Sequence, residues 1–311
     1  MGTITIKPKD RQEWLKYRES GIGSSEVGTI LGLNPFETPL QLWRRKKGLD
    51  APKEENFAMK AGHYLEDAVS KFYSDATGKQ IIQSSGGDWL MVDEEKPYLR
   101  VSPDRTFWIP GRPKSNKNKG ILECKTTQMQ IDEIPSHWFC QLQYQLGVAG
   151  YEQGALAWLT QGRDFGYQDV WFDEELFEFI IGEVDKFWID NIQGNIEPQP
   201  MNVNDIILRN PLHKIGKVLE VTEDLYNAYE ELKEIKKELS ELNAKKESLE
   251  NLIKVKMEDA EALVEGATIL ATWKAPKESE KFDEKKFASE NADLYNAYKI
   301  KTQGSRRFLI K

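Results

Sequence analysis

The sequence predicts an α/β (α+β) fold, with a mixed sheet flanked by helices and a long helical arm after it. Three observations carry that expectation. Helical and strand periodicities alternate through the first 200 residues, in the order helix, helix, helix, strands, helix, strand pair, helix. That order layers helices on a sheet. The stretch Leu99–Thr126 reads as two strands joined by a polar loop. Residues 222–262 repeat apolar side chains at spacings of three and four, the pattern of a long amphipathic helix.

At 311 residues the chain can hold one main core and an appendage. The expected division is a core over 1–200, a linker over 201–221, a helical arm over 222–262 and a small β/α element over 263–311. Charged residues make up 30% and hydrophobic ones 39%, the balance of a soluble globular protein. No apolar run reaches the roughly 18 residues of a membrane span, and MGTITIKPKD lacks a signal peptide's apolar stretch. A cytoplasmic location and no membrane partner are expected. Cys124 and Cys140 make no disulfide framework. His63, His137 and His213 lack zinc-ligand spacing. No Gly-rich nucleotide loop, Ser-His-Asp set or redox CxxC is present. The net charge of −8 argues against a nucleic-acid partner until its distribution is considered. Residues 222–262 carry 12 acids and 7 lysines, so the rest of the chain holds only −3. Basic clusters lie within that remainder, enough for local phosphate contact.

Residues 10–20 (DRQEWLKYRES) place Trp14 and Tyr17 on one helical face, followed by Arg18. GIGSSEVG enters a helix near Ser24 or Ser25, with Glu26 in its first turn, where negative charge is favoured. These residues make a plain helix cap or, with Arg18 close by, an anion pocket. Thr38-Pro39 starts the next helix, which carries Leu40, Leu42 and Trp43 and ends in Arg44-Arg45-Lys46-Lys47 before Gly48. A polar linker spans 51–56. The helix over 57–77 has a core stripe of Phe57, Ala61, Leu65, Ala68, Val69, Phe72 and Tyr73. Glu66 lies beside that stripe, either solvated or aimed at a neighbouring site. One or two strands are expected over 79–92, with Gly86-Gly87 as a turn. The helix over 136–150 packs Phe139, Leu142, Leu146 and Val148. Its amide-rich side, with Gln141 and Gln145 four apart, faces solvent or hydrogen-bonds a water or a base edge. GALAWLTQ and YQDVWFD form a strand pair, and a helix over 173–192 closes the core.

The chemistry concentrates in the central stretch. Asp104 leaves its first strand, and Glu123 and Lys125 sit two apart on the second, so they share one face. Two carboxylates can hold a hard divalent cation through oxygen, and a lysine beside them can steady an attacking water or an anionic transition state. On an exposed edge the same residues would be ordinary surface charges. Ile121 and Leu122 indicate a buried strand, where unpaired charge is costly. The loop between the strands carries Arg112, Lys114, Lys117 and Lys119 without an acid, as a plain connection or an arm that touches DNA.

In the last third, Leu225, Ala228, Leu232, Ile235, Leu239, Leu242, Leu249 and Ile253 form a coiled-coil-like seam interrupted by Lys246 and Lys256. The arm is read as a stabilising appendage ahead of a docking device. ATILATWKAP is expected to pair as a strand with SRRFLIK, with a short helix around 284–298 between them.

Five blocks in order, WLKYRESGIGSSEVG, AGHYLEDAVSKFY, VSPDRTF, LECKTT and WFCQLQYQLGVAG, resemble the phage-type exonucleases of the lambda exonuclease/YqaJ viral recombinase group in the PD-(D/E)XK nuclease superfamily. The resemblance covers roughly residues 14–150, with the closing helix to about 195 included. It implies a restriction-endonuclease-like core and a Mg²⁺-dependent DNA exonuclease, 5′ to 3′ on duplex ends, exposing single strand for recombination by annealing. The alternatives are an endonuclease or nickase on the same fold, or a catalytically inactive DNA-end-binding protein. By resemblance, Asp104, Glu123, the Cys124 backbone carbonyl and Glu66 would hold two Mg²⁺ ions, with Mn²⁺ as a substitute. Lys125 would orient the water, Gln141 would stand close to the reacting centre, and Arg18 and Ser25 would grip the 5′-phosphate. The implied partners are duplex DNA ends, further copies in a ring-shaped trimer and a single-strand annealing protein. One departure is Arg105, where the group often has glycine after the metal aspartate; it reshapes the turn or adds a phosphate contact.

Overall fold

The computed structural model describes residues 2–50, 56–82, 89–278, 280–300 and 306–310. It divides into two units, Met1–Arg209 and Asn210–Lys311. The expected turn at Gly86-Gly87 and nearly all of the expected 51–56 linker lie outside the described residues.

The first unit holds β1 (Thr3–Ile6), α1 (Arg11–Glu19), β2 (Ile22–Gly23), α2 (Ser24–Ile30), α3 (Pro39–Lys46) and α4 (Phe57–Thr77). It continues with β3 (Ile81–Ile82), β4 (Leu90–Asp93), β5 (Leu99–Val101), β6 (Arg105–Trp108) and β7 (Lys119–Thr127). It ends with α5 (Ser136–Ala149), β8 (Gln153–Thr160), β9 (Asp164–Trp171), α6 (Glu174–Lys186) and α7 (Val203–Arg209). Residues 187–193 prolong α6 as wider turns.

The main sheet runs β3-β6-β7-β8-β9 and is mixed: β7 and β8 are parallel, and the other pairs are antiparallel. A smaller sheet runs β1-β4-β5-β2. This corrects the expectation of one continuous strand from Leu99 to Ile109. The chain breaks at Ser102-Pro103-Asp104, and β5 and β6 belong to different sheets. Proline supplies no N–H for a ladder, which ends the first strand there.

Alternation along β7 sends side chains to two cores. Ile121 joins the larger cluster with Leu142, Leu146 and Leu156, on the α5 side. Leu122 and Cys124 join Val69 and Tyr73, on the α4 side. α5 is enclosed by α2, α6 and both sheets, so Cys140 through Val148 are all buried. Its amides therefore face the interior, so of the two readings the solvated side does not hold. α4 packs only through its second half, at Val69, Ser70 and Tyr73. Phe57, 85% exposed at the first position of the helix, and Phe72, 45% exposed with its ring against Phe165 on the edge strand, fall outside the expected buried stripe.

In the second unit, α8 (Glu223–Met257) is 35 residues long, or about 52 Å at 1.5 Å per residue. Its seam residues Leu232, Ile235, Leu239, Leu242, Leu249 and Ile253 are exposed. β10 (Ala262–Glu265) and β11 (Thr268–Thr272) form a hairpin. α9 (Glu284–Glu290) and α10 (Ala292–Ala297) follow. The ATILAT strand thus pairs with its upstream neighbour, and residues 306–310 have no strand assignment. The reason is loop closure: a two-residue turn with Gly266 at φ 59° costs far less entropy than a return from residue 306.

Candidate active site

A hollow of about 560 Å³ opens where the two sheets meet, lined among others by Arg18, Ser25, Glu66, Asp104, Arg105, Glu123, Lys125 and Gln141. The break before β6 creates it. Asp104 stands at the break, and its Oδ2 accepts from the Cys124 backbone N–H at 2.7 Å. That bond fixes Asp104 against β7 beside Glu123. Glu123 and Lys125 share the α5 face, with Lys125 Nζ 2.8 Å from Glu123 Oε1.

Glu123 is 3% exposed, yet both its oxygens are satisfied. Oε1 accepts from Lys125 and from Gln141 Nε2 at 2.5 Å, and Oε2 accepts from Gln145 Nε2 at 2.8 Å. Gln141 Oε1 in turn accepts from Lys125 Nζ at 2.9 Å. Gln145 also donates to Ser24 Oγ at 3.1 Å, while its own Oε1 is buried without a partner among the described residues. Gln145 reaches Glu123 only through the fold; its signal in the sequence is the alternation of Gln141, Gln143 and Gln145 among apolar residues of one helix.

Burial pushes the Asp104 carboxyl well above the usual carboxylate range, and Glu123 and then Glu66 push it further. Burial lowers Lys125, but Glu123 and Asp104 more than offset it, so the ammonium is held charged. A cation among these carboxylates would relieve their repulsion, and an all-oxygen donor set suits Mg²⁺ or Mn²⁺. The residues therefore fit a hard divalent ion at Asp104 and Glu123. Among the described residues no three His, Cys, Asp or Glu side chains draw together tightly enough to enclose an ion by themselves. Glu66 enters from α4, on the other face of the sheet. Its Oε1 lies 3.0 Å from His63 Nδ1 and its Oε2 lies 3.9 Å from Arg105 Nη1.

The other end of the hollow is cationic. Arg18 Nη2 donates to Ser25 Oγ at 2.7 Å, and its guanidinium lies 5.1 Å from the Trp14 ring centroid. The short helix carrying Ser25 is braced from behind: Glu26 accepts from Gly23 N–H and pairs with Lys46 at 2.8 Å and Arg45 at 3.3 Å. Arg44–Lys47, expected as a basic surface cluster, thus supply this brace in part; Lys46 is buried.

The hairpin loop stands apart from the hollow. Trp108 pairs with Lys119 and Arg105 with Leu122, so the loop lies at the far end of the β6–β7 hairpin from Asp104, more than about 10 Å away at 3.3 Å per residue. Arg112, Lys114, Lys117 and Lys119 do not line the hollow. Arg112 pairs with Glu152, Lys114 bonds Gln80, and Lys119 sits over Trp108. Arg105 does line it, but bonds Asp67 at 2.5 Å.

Residues 13–152 match the family model described as the YqaJ-like viral recombinase domain. The chain is 32% identical over 314 residues to the protein YqaJ of Bacillus subtilis (strain 168), covering 97% of this chain and 94% of that one. An alkaline exonuclease from Laribacter hongkongensis aligns at TM-score 0.44 and 17% identity, over 59% of this chain and 93% of that one. A phage related exonuclease from Haemophilus somnus 129PT aligns at TM-score 0.39 and 13% identity, over 57% and 96%. The near end-to-end match, together with the domain match across the elements that build the hollow, establishes that the chain belongs to the YqaJ-like viral recombinase family.

Proposed function

We propose that the chain is a divalent-metal-dependent deoxyribonuclease that digests duplex DNA from its ends, 5′ to 3′. The observation that carries the reading is one hollow joining two chemistries. Asp104, Glu123 and Lys125 stand at one end, and the Arg18–Ser25 pair at the other. Such a site can hold a terminal phosphate while it presents the next phosphodiester to the carboxylates.

Asp104, Glu123 and the Cys124 carbonyl are the groups that would hold Mg²⁺, and the family resemblance implies a second ion at Glu66. Bound Mg²⁺ supplies Lewis-acid polarisation of the scissile phosphate and a lowered pKa for the attacking water. Lys125, held charged by Glu123 and Asp104, donates to that water or to the developing negative charge. Gln141 and Gln145 keep Glu123 in one orientation. Arg18 and Ser25 bind the 5′-phosphate, which sets the direction of travel. Arg112, Lys114, Lys117 and Lys119 are left as contacts to DNA beyond the hollow, while Arg105 lines the hollow itself. The family resemblance further implies a ring-shaped trimer on duplex DNA and delivery of the exposed strand to a single-strand annealing protein.

The test uses linear duplex with 5′-phosphate or 5′-hydroxyl ends and closed circles, each with and without Mg²⁺. The reading expects Mg²⁺-dependent loss of the linear substrates, faster with 5′-phosphate, and intact circles. Cutting of circles would instead make the chain an endonuclease or nickase. End binding without cutting, unchanged by Glu123→Ala, would make it an end-binding protein.

A further inference from the structure

We propose that Arg105 takes the place of a second metal cation, so that the hollow takes up a single divalent ion. The inference rests on the nuclease reading above. Arg105 opens β6 opposite Leu122, which sends its side chain to the α4 face. There its guanidinium binds Asp67 at 2.5 Å, lies 3.9 Å from Glu66 and donates to the Asp104 carbonyl at 2.5 Å. The side chain is only 17% exposed, and its Nε is buried with no partner among the described residues. A guanidinium kept there with one donor unmet is held by the acids around it.

Charge balance points the same way. Four carboxylates, Glu66, Asp67, Asp104 and Glu123, face two cations, Lys125 and Arg105, at this end of the hollow. The deficit is that of one divalent ion. Arginine does not give up its proton in proteins, so its charge is permanent. A divalent ion seated on Glu66 would lie beside that charge in a partly buried site, where screening is weak. Glu66 is also engaged by His63 and stands across the sheet from Glu123. Asp104 and Glu123 remain for the one ion.

The test is calorimetric titration of Mn²⁺ into the full chain without DNA, with circular dichroism to confirm folding. The wild type is expected to bind one ion, Glu66→Gln still one, Arg105→Ala two, and Glu123→Ala none. Two ions in the wild type, falling to one in Glu66→Gln, would overturn the proposal. So would a folded Arg105→Ala that still binds one. The two readings separate cleanly. Two ions with intact cutting sinks only this inference, whereas no ion and no cutting sinks the nuclease reading with it.

Discussion

Gln145→Leu separates positioning from packing. Gln145 is fully buried, donates to Glu123 and Ser24, and carries a carbonyl oxygen with no partner among the described residues. Losing a hydrogen bond to a charged acceptor costs about 1.5–3 kcal/mol, and removing an orphaned buried carbonyl returns about 1–3 kcal/mol. Leucine is close in volume, but the lost Ser24 bond adds about 0.5–1.5 kcal/mol to the cost, so the net change in stability is expected as a loss of about 1 kcal/mol. Glu123 would keep Lys125 and Gln141 on Oε1 but lose its only partner on Oε2 among these side chains. Groups that orient a metal ligand are typically worth 10–100-fold, or roughly 1.4–2.7 kcal/mol in the barrier. Urea unfolding of the metal-free chain and the initial rate on 5′-phosphorylated linear duplex measure the two quantities side by side. Wild-type cutting by a normally folded Gln145→Leu would refute the positioning argument. A stability loss above about 3 kcal/mol would show that Gln145 serves the core instead.

Glu26→Gln is expected to cost about 3–5 kcal/mol at neutral pH, because it leaves Lys46 buried without its charge partner; chemical unfolding reads this directly. Burial alone would raise the Glu26 carboxyl, but Lys46, then Arg45 and the Gly23 N–H, hold it below the ordinary range. A depressed folded pKa gives stability present above the unfolded carboxylate value and lost as pH falls through the folded one. The acid limb of the stability profile should therefore flatten in Glu26→Gln, and an unchanged limb would count against the pair. Gly28→Ala would place a Cβ 2.7 Å from His137 Cβ and 3.2 Å from its Cα. Overpacking of about 1–3 kcal/mol against about 1 kcal/mol of helix propensity gives a net loss of up to ~2 kcal/mol. Cutting should fall too, since the Gln145–Ser24 bond spans the same α2–α5 contact; a rate equal to wild type would argue that this contact does not tune the site.

Much of the site was readable in advance because its signals are local. The two-residue period of a strand puts Glu123 and Lys125 on one face, and the structure has them 2.8 Å apart. A cap pattern of Gly-Ser-Ser-Glu puts Glu26 where it can reach back to Gly23. What was misread depends on neighbours that the local pattern does not name. Gln145 resembles a solvated amide until α2, α6 and strands of both sheets enclose its helix. Phe57 resembles a core residue, but its helix packs only through its second half. The place of the loop lysines, at the far end of the hairpin from Asp104, is likewise set by strand register.

By itself the sequence determined the main helices, the mixed α/β class, the pairing of Glu123 with Lys125 and the amphipathic arm, since each follows from periodicity and short-range sterics. Tertiary structure alone decided that β5 and β6 part into two sheets, that the gap between them becomes the hollow, and that Arg105 meets Glu66 and Asp67 across it. Those outcomes turn on which distant segments share a buried contact. Burial and charge balance set that choice over the whole chain, whereas hydrophobic period reports only on the residues within one element.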